Sequence, residues 1–85
     1  MRYTGEMEET DPRHSATLHL QGYFVYDHLP HHLQTVSRPF GQLANLMIAS
    51  LPDGPELTAG LRKLLEAKDC FVRAAVDDER RRAEL

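Results

Sequence analysis

Leu51-Pro52-Asp53-Gly54-Pro55 divides the second half of this 85-residue chain. Pro52 fixes its own φ and lacks an N–H, Asp53 can hydrogen-bond nearby backbone, and Gly54 tolerates conformations that side chains resist. Pro55 suits the first position of a helix, where its missing N–H is not needed. Upstream, Phe40, Leu43, Ala44, Met47 and Leu51 recur at spacings of three and four, one apolar helix face. Downstream, Leu57, Leu61, Leu64, Leu65, Phe71, Val72, Ala75 and Val76 form a second face, in a segment dominated by good helix formers. Glu56 in the first turn complements the helix dipole. A link this short forces the two helices to run antiparallel.

The expectation is therefore an all-α protein. A helical hairpin covers 37–85, with helices at about 38–51 and 54–80, and an N-terminal arm covers 15–36. Residues 1–14 read as a flexible, solvated tail that has little to bury. Within the arm, Ala16, Leu18 and Leu20 alternate with Thr17, His19 and Gln21, a strand-like texture. Tyr23-Phe24-Val25-Tyr26 is expected to be extended. Residues 29–36 can form a short helix with Pro30 in its first turn. Pro39 is expected to open a new helix, because inside a continuing one it removes a hydrogen bond and clashes with the preceding turn.

Composition narrows the function. Ten Lys+Arg stand against 13 Asp+Glu, a formal charge of -3. That balance argues against a DNA or RNA partner held by a basic patch. Cys70 is the single cysteine, so no disulfide forms within the chain, which fits a reducing compartment. Met1 to Asp11 contains no apolar run, and no stretch approaches the ~20 apolar residues that span a bilayer, so no membrane partner is expected. Two helices of roughly 15 and 25 residues cannot enclose a core between them, so a homo-oligomer is expected.

Few groups suit catalysis. His28, His31 and His32 would share a helix face, but no further ligand completes a tetrahedral zinc set, and no metal is expected. Cys70 has neither a helix N-terminus nor a histidine to activate it. No phosphate-binding glycine loop or serine nucleophile motif is present, so the chain is not expected to be an enzyme. Arg80-Arg81-Arg82 are matched by Asp77, Asp78 and Glu79, the ordinary pattern of a solvated helix end. Rings and cations remain. Phe24 and Tyr26 offer faces for stacking, Arg38 and Arg62 planar cations for phosphate, His28 a further polar ring and Thr58 a hydroxyl near a helix start. The ordinary alternative for the aromatics is packing of the arm on the hairpin.

Phe24-Val25-Tyr26-Asp27-His28-Leu29-Pro30 resembles the aromatic-x-aromatic-His-Pro opening of a phage family of small hairpin proteins. Pro52, Glu56, Gly60-Leu61, Lys63-Leu64 and Glu66-Ala67 match that family's second half in register. This is the helical-hairpin domain of phage anti-CBASS and anti-Thoeris cyclic-nucleotide sponges. The resemblance covers about residues 23 to 76 and does not reach Met1 to Gln21. The family's Trp-Asn pair is absent, with Cys70-Phe71-Val72 in its place.

The resemblance implies a homo-oligomer, typically a hexamer, acting in the host cytoplasm. It binds a cyclic di- or trinucleotide or related cyclic signal without turnover and without a cofactor. It also implies that an arm aromatic, Tyr26 by position, stacks on a base while a basic residue of the first hairpin helix meets phosphate. The gap-free position for that residue is Gly41, and the nearest basic residue is Arg38, a turn earlier. The alternative is a binding-free hairpin for oligomerisation or protein interaction.

Overall fold

The computed structural model describes residues 15–85. They form three helices, α1 (Ser15–Gly22), α2 (His31–Ser50) and α3 (Pro55–Glu84). No strand occurs among the described residues. The expected tail, 1–14, lies outside them.

α2 and α3 pack along one another, joined by the expected turn. The Leu51 N–H closes the end of α2 on the Met47 carbonyl at 3.0 Å. Pro55 occupies the first turn of α3. Ala44 and Ile48 face Leu57 and Leu61 across the hairpin, and Leu20 and Phe24 complete the core from the N-terminal side. Further from the turn, the rings of Phe40 and Phe71 stack with centroids 5.7 Å apart. These two meet because side chains tilt toward their own helix's N-terminus, which is opposite for the two antiparallel helices.

Two expectations about local structure are corrected. The alternating segment from Ala16 to Gln21 is helical, not strand-like. With no second strand to pair with, an extended segment would leave its backbone groups unmatched, whereas a helix satisfies them internally. The residues it buries, Thr17 and Leu20, also fit the three-residue helical spacing. Secondly, Pro39 does not begin a helix. It lies inside α2, which runs unbroken from His31. Pro39 and Thr35, whose carbonyl loses its N–H partner, are both exposed, so water reaches the freed acceptor. The interior proline still costs about 3 kcal/mol. The buried positions on either side, Ser37, Gly41 and Ala44, fix the helix by packing.

The N-terminal segment is tied down at both ends. Thr17, fully buried, donates its hydroxyl to Asp53 Oδ1 in the hairpin turn at 3.0 Å. After α1 the expected extended segment from Tyr23 to Tyr26 instead begins as a turn, because the Tyr23 and Phe24 N–H groups bond back to the Leu20 and Gln21 carbonyls, each at 3.1 Å. There the Lys68 ammonium donates to the Tyr23 carbonyl at 2.8 Å and lies 5.8 Å from the Phe24 ring centroid. The Lys68 side chain is only 12% exposed. Charge-assisted bonds of this kind contribute roughly 1.5–3 kcal/mol. Gln34 then secures the following turn by donating to the carbonyls of Leu29, at 2.8 Å, and Asp27, at 3.2 Å.

Candidate functional site

Arg38, Gly41 and Asn45 fall at spacings of three and four on α2 and therefore share a face. Gly41, between them, is buried. A methyl group there would sit 2.9 Å from the Phe24 carbonyl oxygen and 3.2 Å from both Cδ2 and Cε2 of Tyr26. The arm thus crosses α2 backbone to backbone, and the edge of the Tyr26 ring rests on the glycine. Any larger residue would lift it away. Toward the start of α2, the Arg38 guanidinium carbon lies 5.6 Å from the Tyr26 ring centroid. That is within cation–π range, worth about 0.5–1 kcal/mol at an exposed site. Toward its end, Gln21 of α1 donates its amide N–H to Asn45 Oδ1 at 3.1 Å.

Between these groups lies an open hollow of about 490 Å³, lined by Leu18, Gln21, Tyr26, Asp27, Gly41 and Asn45, among others. Phe24, Tyr26, Asp27 and the carboxamide residues Gln21 and Asn45 line it, and Arg38, outside that lining, stands beside it over the Tyr26 ring. The arrangement suits a flat, hydrogen-bonding ligand with an anionic group. It offers no nucleophile with a base in reach.

The structure brings Tyr26 and Arg38 together. Phe24 lines the same hollow as Tyr26, and the remaining sequence-derived candidates lie apart from it. Phe24 is 3% exposed and belongs to the core, where one contact is the Lys68 ammonium. The Thr58 hydroxyl is engaged within its own helix, 3.1 Å from the Pro55 carbonyl and 3.3 Å from that of Gly54. It lines a different hollow, beside Asp53 and Ala16. His28 and Arg62 are exposed and line neither hollow. Gly41 as the resting place of Tyr26, the Gln21–Asn45 pair and the Lys68 clamp carry no motif of their own. Only the helical spacing of Arg38, Gly41 and Asn45 signals them.

A second feature is apolar. Leu43, Met47, Leu51, Leu57, Leu61 and Leu64 line an open groove of about 410 Å³ between α2 and α3. Leu43, Leu46 and Leu51 remain exposed. Among the described residues no group of three or more His, Cys, Asp or Glu is placed to hold a metal. No described helix is long and apolar enough to cross a membrane. No family model, curated protein or solved structure matches the chain.

Proposed function

We propose that this chain is a phage anti-defence sponge of the anti-CBASS type, which binds cyclic oligonucleotide signals in the host cytoplasm and holds them without turnover. The observation that carries the reading is the Arg38 guanidinium over the Tyr26 ring, with that ring seated on Gly41. A base stacks on an aromatic face for about 1–3 kcal/mol, and a guanidinium grips phosphate through two parallel hydrogen bonds. In this reading Arg38 takes the part of the cation that the sponge-family resemblance implies at the Gly41 position, and its place 5.6 Å from the Tyr26 ring centroid supports that assignment. Sequestration needs no catalytic group, only affinity. A ring already seated on its glycine lowers the ordering cost of binding.

The same reading takes the chain as a homo-oligomer, hexameric in the proposal, with the open groove at Leu43, Met47 and Leu64 covered by further copies. Calorimetry with cyclic di- and trinucleotides and cyclic ADP-ribose variants tests the ligand. Binding tighter than roughly 10 μM, about -7 kcal/mol, is expected for at least one. Tyr26→Ala is expected to weaken it at least tenfold without changing particle size. Failure of every ligand ends the proposal.

A second reading, a hairpin that only oligomerises or docks on another protein, is favoured by that groove alone. It requires no ligand. It predicts that Leu43→Asp, at an exposed position lining that groove, abolishes assembly while leaving the helical content intact. Light scattering against the 9.7 kDa monomer mass reads the result.

A further inference from the structure

We infer that the Gln21–Asn45 carboxamide pair, with Asp27 across the same hollow, reads the edge of a bound base and favours adenine over an oxo-purine; the inference rests on the ligand site proposed above. The pair joins α1 to α2 through a single bond, from Gln21 Nε2 to Asn45 Oδ1 at 3.1 Å. A carboxamide carries two N–H donors and an oxygen with two lone pairs. Among the described residues, that one bond leaves the Asn45 amine to donate and the Gln21 carbonyl oxygen to accept. Both residues line the hollow that Tyr26 bounds.

The geometry along α2 separates the two ends of such a ligand. Asn45 lies seven residues beyond Arg38, about 10 Å along the helix axis, with Gly41 and the Tyr26 ring between. A nucleotide laid on that ring with its phosphate at Arg38 directs its base toward the carboxamides. An adenine edge presents an exocyclic amine beside a ring-nitrogen acceptor, the pattern that an Asn or Gln amide matches with two bonds. The Asn45 amine donates to the ring nitrogen, and the Gln21 carbonyl accepts from the exocyclic amine.

Asp27 sets the preference. Asp27 is exposed and lines the same hollow. An ionised carboxylate only accepts hydrogen bonds, so it attracts an exocyclic amine and repels a carbonyl oxygen. Adenine carries the amine at the position where hypoxanthine and guanine carry an oxygen. The site then has two acceptors facing an amine and one donor facing a ring nitrogen.

Cyclic di-AMP and cyclic di-IMP differ at each base by this exchange of amine for oxygen, with a proton added on the adjacent ring nitrogen. Titration calorimetry of the full chain is expected to show cyclic di-AMP bound roughly five- to tenfold tighter. Asn45→Leu and Gln21→Leu should each bring that ratio below about twofold while binding persists. Tyr26→Ala should weaken both ligands alike. Equal affinities in the unaltered protein, or a ratio that survives in both leucine variants, overturns the inference. Should a leucine variant fail to fold, the side-chain amide resonances of Gln21 and Asn45 in the unaltered protein decide instead. They must shift with cyclic di-AMP, and resonances that stay put overturn the inference. Binding of cyclic nucleotides without base preference removes only the edge reading. The absence of any cyclic-nucleotide binding removes the site with it.

Discussion

The two ends of α3 are held by different physics. Near the hairpin turn, Leu57 and Leu61 are buried against Ala44, Ile48 and Leu20, and Thr17 bonds to Asp53 just before the helix begins. From Asp77 onward every residue is exposed. There, among the described residues, the side chains make local ion pairs, such as Arg82 Nε to Asp78 Oδ2 at 3.1 Å and Arg80 Nη1 to Asp77 Oδ1 at 3.5 Å. α3 has 30 residues and α2 has 20, so the longer helix projects about 15 Å past its partner. Periodicity and propensity mark both halves as helical in sequence. Only burial makes the first half cooperative with the rest of the fold, and pairs like those in the second half contribute a few tenths of a kcal/mol at most.

Four substitutions test this contrast. Leu61→Ala, at a side chain 2% exposed, is expected to cost about 2–5 kcal/mol, enough to unfold much of the protein in a thermal melt. Gly41→Val forces a methyl-sized clash with the Phe24 carbonyl at 2.9 Å. Overpacking of this sort costs about 1–3 kcal/mol. It should release the arm first, seen as loss of the Lys68–Tyr23 contact by NMR while α2 and α3 persist. Ser37→Ala goes the other way. The Ser37 hydroxyl is buried without a hydrogen-bond partner among the described residues, and an unmatched buried hydroxyl costs roughly 1 kcal/mol or more. Its removal should raise the urea midpoint. Asp78→Asn, at the solvated end, breaks two exposed ion pairs and should change the unfolding free energy read from urea denaturation by no more than about 0.5 kcal/mol. A larger loss there would mean that the projecting half of α3 is packed against something in solution.

Residues near the turn were the most readable. Pro52 to Pro55 announced the break because each has chemistry that disfavours a continuing helix, and the leucine spacing on either side gave the buried faces. The arm was harder. A six-residue alternation fits a strand and a short helix equally, and only the absence of a pairing strand among its neighbours decides for the helix. Pro39 reads as a helix start because local rules weigh its lost hydrogen bond without the packing of Ser37, Gly41 and Ala44. For the site, residue type picked out Tyr26 and Arg38 but also Phe24, which burial withdraws, and Thr58, which its own helix occupies. Gly41, Gln21 and Asn45 carry no charge or ring and matter only through what the fold sets beside them.

The Lys68 clamp has a chemical consequence. The chain contains two lysines, Lys63 and Lys68, both on α3. Lys63 is exposed, whereas the Lys68 amine is enclosed by the arm and donates to the Tyr23 carbonyl. An amine-selective acylating reagent should therefore modify Lys63 promptly and Lys68 slowly. The ratio of the two rates, read by peptide mass spectrometry from a single reaction, measures how often the arm lets go. The neighbouring lysine serves as the internal clock.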